Sequence, residues 1–236
     1  MQVVSVRKLG HSTRSGLAVC LAIFVGLAVL LVTVGVDVAQ AAKKPPKPPA
    51  QALKEFVAAS DSGDIPAILA LYEKYAAQDN KEGALAILYA GLHYKVTQFL
   101  SEKQTKQLFA AAEASLLQMT DKGARKEMYK AVRRHPEWRA RAMLLNIAHT
   151  RFHEEKRAEK AILMALTDYI DAVSIKAIEM SMELGIERAV PRLIKLVVDK
   201  WGQHVGLGAA KAKMALEHLT GYQKPNGWYE WVRQNM

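Results

Sequence analysis

Two hydrophobic patterns divide this chain. Residues 17–36 are a run of twenty almost unbroken apolar residues. From Ala50 onward the apolar residues recur instead at three- and four-residue steps among Ala, Leu, Lys, Glu and Met, the spacing that lines one face of a helix. No alternating β-branched stretch interrupts this pattern, so the fold class is read as all-α, without strands.

Local punctuation places several helix ends. Asp64 with Pro66 starts one helix, the aspartate as cap and the proline in the first turn, where its missing N–H has no partner to lose. Ser101 with Gln104 forms a capping box for another, which runs through Leu116 and Leu117. Residues 120–123 then break the pattern. Residues 51–119 are read as three or four amphipathic helices without an internal repeat.

The second half repeats. A step of 35 residues superposes Trp138, Val173 and Gly208, then Ala142, Ala177 and Ala212, then Leu145, Met180 and Ala215, then His149, Leu184 and Leu219. Within a unit the offsets keep these side chains on one helical stripe, and a basic residue flanks each alanine as Arg141, Lys176 and Lys211. The small alanines let neighbouring helices approach closely. The sharpest unit has a first helix over residues 171–184 closed by Gly185, then a second from about 186–191 that buries Val190, Leu193, Ile194 and Val197. Such a period of paired helices describes an α-solenoid.

The text Leu166-Thr167-Asp168, Val173, Ala177, Leu184-Gly185 and residues 189–194, Ala-Val-Pro-Arg-Leu-Ile, resembles the HEAT-repeat family. The closing text, residues 215–221 followed by Trp228 and Trp231, is similar to the end of bacterial HEAT-like domains. The resemblance covers residues 138–231 and implies a fold that binds other proteins or braces an assembly, with no chemistry of its own. The chain departs from the family at His149, which replaces a leucine, at the long turn of residues 153–156, and at a loop over residues 202–208. The implied organisation is residues 1–41 as an export signal, 42–50 as a Lys/Pro-rich linker, 51–120 as an N-terminal helical region and 121–236 as the HEAT-like domain. Trp228 and Trp231, with Tyr222 and Tyr229, read as an aromatic cap on the last layer rather than a sugar-stacking platform. Met143, Met164, Met180, Met182 and Met214 read as core filling.

The early apolar run supplies a location. Arg7, Lys8 and Arg14 precede it and Ala39-Gln40-Ala41 follow, the order of an export signal cleaved after Ala41. The run also has the length of a spanning helix, so an uncleaved anchor contacting the membrane through residues 17–36 is the second reading. Both put residue 42 onward outside the cytoplasm, in the periplasm or cell envelope. The only cysteine, Cys20, lies inside the run, so the exported part can form neither a disulfide nor a thiolate metal site. Residues 43–49, Lys-Lys-Pro-Pro-Lys-Pro-Pro, read as an extended polyproline II spacer, or as a proline-rich ligand for a partner's groove.

Charge changes the picture in one segment. The chain carries a net +10, but residues 42–121 hold nine basic and nine acidic residues and residues 161–236 nine and eight. Residues 122–160 hold twelve Lys or Arg against five Glu. Lys122, Arg125, Lys126, Lys130, Arg133 and Arg134 recur at helical spacing, with Arg139, Arg141, Lys156, Arg157 and Lys160 after them. The run reads equally as a solvated helix face partly neutralised by neighbouring glutamates or as an anion-facing patch, for which the first eight are the candidate partner-binding residues. An acidic protein surface is the favoured partner, with acidic envelope polymers or anionic lipid headgroups as alternatives. Nucleic acid ranks below these, since no recognised nucleic-acid motif accompanies the charge.

Catalytic residues and cofactors are not expected. No serine stands in a Gly-x-Ser-x-Gly elbow, and the glutamates fall mainly at solvent-facing helical positions beside lysines. A helix-rich cell-wall hydrolase is the alternative of a different class, and it would need a glutamate placed as an acid in a cleft. His149 and His153 stand four apart, but a helix is expected to end between them, so His149 reads as a core histidine and no metal site is assigned.

Overall fold

Side-chain caps fix several helix starts in this chain, which is divided into short helices joined by tight turns. A computed structural model describes residues 44–200 and 207–236. The helices are α1 (Ala50–Asp61), α2 (Ile65–Ala76), α3 (Lys81–Leu85), α4 (Tyr94–Thr97), α5 (Glu102–Gln118) and α6 (Lys122–Arg134). They continue as α7 (Trp138–Thr150), α8 (Lys156–Ala165), α9 (Asp171–Glu183), α10 (Val190–Lys195), α11 (Leu207–Thr220) and α12 (Pro225–Asn235). A π-helical turn, Ala86–Gly91, extends α3, and another, Leu196–Lys200, extends α10. The protein is all-helical, with no strand among the described residues. The export segment of residues 1–41 lies outside the described residues. Among those described, no helix is long and apolar enough to cross a membrane.

The caps act as the sequence predicts. Asp64 accepts the Ala67 N–H at 2.9 Å, and the capping box of Ser101 and Gln104 opens a seventeen-residue α5. The break after α5 is tighter than expected. Asp121 already caps α6 through the Ala124 N–H at 2.8 Å, which puts Gly123 inside the helix. Asp79, at a φ of 37° between α2 and α3, accepts the N–H groups of Thr120 and Asp121 at 2.7 and 3.0 Å and so locks this turn from a distance. Gly185 takes the positive φ, 62°, that ends α9.

The packing sorts the helices into two rows. In row A, α2 packs on α5, α5 on α7, α7 on α9 and α9 on α11. In row B, α1 meets the first π turn, α3 meets α6, α6 meets α8 and α10 meets α12. Hairpin contacts such as α6 with α7 and α8 with α9 join the rows, and Lys44–Met236 forms one compact unit. At one end Phe56 and Tyr72 pack with ring centroids 5.1 Å apart, and Gly91 lies so close that a Cβ would fall 2.5 Å from the Tyr72 ring. The buried Tyr72 hydroxyl donates to the Gly91 carbonyl at 3.0 Å, so its polar group is satisfied inside the core. At the other end Trp228 and Trp231 are buried, and the Trp228 Nε1–H donates to the Tyr222 carbonyl at 2.7 Å. Met143 and Met180 are buried, Met164 and Met182 are half-buried, and Met214 is exposed.

The residues superposed by the 35-residue step fall on α7, α9 and α11 except Leu184, which lies just past α9, and their burial differs, Trp138 being exposed where Val173 and Gly208 are buried. Ala177 and Ala212 are fully buried, while Ala142 is half-exposed beside a groove. Val173, Ala177 and Ser181 form the buried stripe of α9, between its row neighbours α7 and α11. Ala177→Phe should destabilise the fold by about 1–3 kcal/mol through overpacking. A thermal melt checks this, and an unchanged midpoint would show that no helix packs closely there.

His149 differs from its expected core role. It is half-exposed, with Nε2 facing the Glu183 carboxylate at 3.5 Å, while α7 ends at Thr150 and His153 lies edge-on to Phe152. The histidine that does sit in the core is His135, at the C-cap of α6. Its Nε2 lies 2.7 Å from the Leu88 carbonyl and Nδ1 accepts the Glu137 N–H at 3.1 Å. Burial lowers its pKa from the ordinary value of 6.5. The unfolded chain therefore takes up this proton first as the pH falls. Stability from His135 is complete above about pH 6.5 and declines below it, down to the folded-state pKa. Denaturant titrations at pH 7.5 and 5.5 should show this loss, and His135→Gln should reduce the difference between the two.

Candidate functional site: a basic helical face

Each row B helix turns a small apolar stripe inward and leaves one stripe to solvent. In α6 the inward residues include Ala124, Met128, Ala131 and Val132, and the only exposed residues are Lys122, Lys126 and Arg133. In α8 the inward residues include Ala158, Ala161, Ile162 and Ala165, and the only exposed residues are Lys156, Arg157 and Lys160. Every exposed residue of both helices is thus basic. The next turn and α10 add Arg188, Arg192 and Lys195, exposed beside buried Val190, Leu193 and Ile194, although Glu187 and Pro191 are exposed there too.

Side-chain bonds tie these helices into one surface. Arg188 donates to Glu159 of α8 at 3.1 Å, and Arg192 donates to the Leu163 carbonyl at the end of α8. The Arg192 guanidinium has a pKa below its ordinary value, first from burial and then from repulsion by Arg188 and Arg133. Since α6 packs on α8, at the roughly 8–10 Å of packed helices their stripes lie within about one Debye length of each other, and an anion lying across them meets several charges at once. Among the described residues, Glu127 and Glu159 of α6 and α8 are already engaged by Lys130 at 2.6 Å and by Arg188.

The eight residues expected from sequence divide into four groups. Lys122, Lys126 and Arg133 lie exposed on the face, with Lys130 and Arg134 half-buried on the same helix. Arg125 turns inward, paired with Glu155 at 2.8 Å, and braces α6 against the turn before α8. Arg139 stands on row A, its guanidinium 5.4 Å from the centroid of the Trp138 ring. Arg141 is not a surface residue. It is 1 % exposed and bound bidentately to Asp168, so it carries structure rather than a partner.

Sequence reading missed Arg188, Arg192 and Lys195. They belong to a segment whose overall charge is nearly balanced, and only the fold brings them beside α8. The signal was present as a basic stripe at four- and three-residue steps, 188, 192 and 195.

A second feature lies on row A. A groove of about 700 Å³ runs between α5 and α7, lined by Phe109, Trp138, Met143, Glu113, Arg139 and Lys176 among others. Its Glu102 is paired with Lys106 at 2.7 Å, which holds that carboxyl below its usual range and keeps it an anion. Glu113 accepts from the Asn146 amide at 3.2 Å. The groove thus offers apolar surface with charges of both signs, whereas row B offers a surplus of positive charge. The molecule is an all-helical protein with a basic face built from three successive row B helices. No protein-family model, no curated protein and no solved structure matches this chain.

Proposed function

We infer that this chain is an exported, non-enzymatic binding or scaffold module of the cell envelope, a HEAT-like α-solenoid that holds an acidic protein surface on its basic face. The observation that carries the reading is that every exposed residue of α6 and α8 is basic. A surface kept this uniform has unfavourable self-repulsion, and an anionic partner relieves it. The solenoid reading is supported by the 35-residue step and by the row A contacts of α7, α9 and α11. The export reading is supported by the order of basic, apolar and small residues over 7–41.

A hydrolase reading has less support. A general acid needs a carboxyl whose pKa is raised by desolvation, and Lys106 holds Glu102 in the groove the other way. The test is affinity capture from an envelope fraction. The expected result is an acidic protein that elutes with salt. Elution of an envelope polymer or anionic lipid instead would keep the face and change the partner class, and turnover of cell-wall material by the purified protein would overturn the non-enzymatic reading.

A further inference from the structure

The Lys/Pro-rich segment ahead of α1 is not solvated like a free spacer. Pro46, Pro48 and Pro49 are half-buried, and Pro49 is the residue from which α1 starts. The segment lies along a groove whose opposite wall includes Tyr89, His93, Tyr94, His135, Pro136 and Glu137, and a cavity of about 290 Å³ remains between them. The wall is firm. Tyr89 stacks on His135 with centroids 5.1 Å apart, His93 packs on Tyr94 at 4.6 Å, and His135 is held from both ring nitrogens.

This is the chemistry that suits polyproline II. Such a helix is extended, already ordered and without internal hydrogen bonds, so it loses little entropy when its rings pack against aromatic side chains. The segment contains two overlapping Pro-x-x-Pro pairs, Pro45 with Pro48 and Pro46 with Pro49. Pro136 and Glu137 close one end of the groove, where the Glu137 carboxylate caps α7 through the Arg139 N–H at 3.2 Å. The fit is incomplete, since Tyr94 stays 62 % exposed beside the unfilled cavity.

We propose that this groove is a recognition site for polyproline II segments, and that residues 44–49 occupy it in cis until a partner chain carrying such a segment displaces them. Direct connection to α1 gives the strap an effective concentration on the order of millimolar, so a competing segment binds the intact protein more weakly than the emptied groove. The inference stands apart from the basic face and from the export reading.

The test uses the full chain in detergent and a fluorescein-labelled peptide with the sequence of residues 43–50, followed by anisotropy. Three proteins are compared: the unaltered chain, a strap variant combining Pro45→Ser, Pro46→Ser and Pro48→Ser, and that variant with Tyr94→Ala added. The strap variant should bind the peptide at least about tenfold more tightly than the unaltered chain, and Tyr94→Ala, at an exposed position, should remove that gain. A strap variant with an unchanged helical spectrum and no binding would overturn the proposal, as would binding indifferent to Tyr94→Ala. If the strap variant fails to fold, saturable binding of excess peptide to the unaltered chain, lost in its own Tyr94→Ala variant, supports the proposal, and no binding overturns it. Dimers of the unaltered chain that Tyr94→Ala dissolves would assign the groove to the strap of a second copy and overturn a separate partner.

Discussion

Arg141→Ala should remove about 3–5 kcal/mol from the stability of the folded domain, because it removes a buried guanidinium that holds the Asp168 carboxylate and the His135 carbonyl together. The guanidinium reaches Asp168 through Nε at 2.8 Å and Nη2 at 2.9 Å, and Nη1 donates to the His135 carbonyl at 2.8 Å. The Tyr169 ring covers it, its centroid 4.7 Å away. Asp168 also accepts the Ile170 N–H at 2.9 Å, so the pair fastens α7 to the turn that starts α9 and, through His135, to the end of α6. Lysine cannot reproduce the planar fork, and Arg141→Lys should recover only a small part of the loss. Replacing both partners with apolar residues of similar volume should be milder than Arg141→Ala, since the buried pair is then removed as a whole. Urea unfolding of the three variants checks the order, and an unchanged midpoint for Arg141→Ala would contradict a structural role.

The second large effect is on binding. Reversing Lys126, Arg133, Lys156 and Lys160 to glutamate should weaken capture of an acidic partner by roughly a hundredfold, because four attractions become repulsions across one interface. The fold should change by no more than about 0.5 kcal/mol per substitution, since all four side chains are solvated. Arg192 and Arg125 are left out of the set because each also bonds to a neighbouring element. Binding by the unaltered protein should fall steeply with salt, and the residual binding of the variant should not. A variant that keeps its partner at ordinary affinity would move attention to the apolar groove between α5 and α7.

The helical architecture was legible because its signals are local. Caps such as Asp64 and Ser101 and the stop at Gly185 act within a few residues, and the spacing of apolar positions already defines a buried face. What escaped was set by contacts distant in sequence. Arg141 has the same local setting as the surface arginines around it, and only Asp168, 27 residues away, makes it a core residue. His135 was missed for the same reason, its partner Leu88 lying 47 residues back. His149 was expected in the core from its place in the repeat, but that place faces Glu183 at the edge of row A. The basic segment was visible as charge, yet its continuation onto α10 depends on how α8 and α10 pack. The proline strap read as a spacer because its groove is assembled from residues 89–94 and 135–137.

The most direct measurement is amine-reactive footprinting of the protein in intact envelopes, comparing Lys126, Lys156 and Lys160 of the basic face with Lys103 and Lys213, exposed on row A. An occupied face predicts that the first three are labelled several-fold more slowly than the other two, and that the difference disappears in high salt or in the purified protein. Equal labelling of all five lysines in the envelope, unchanged by salt, would contradict the account.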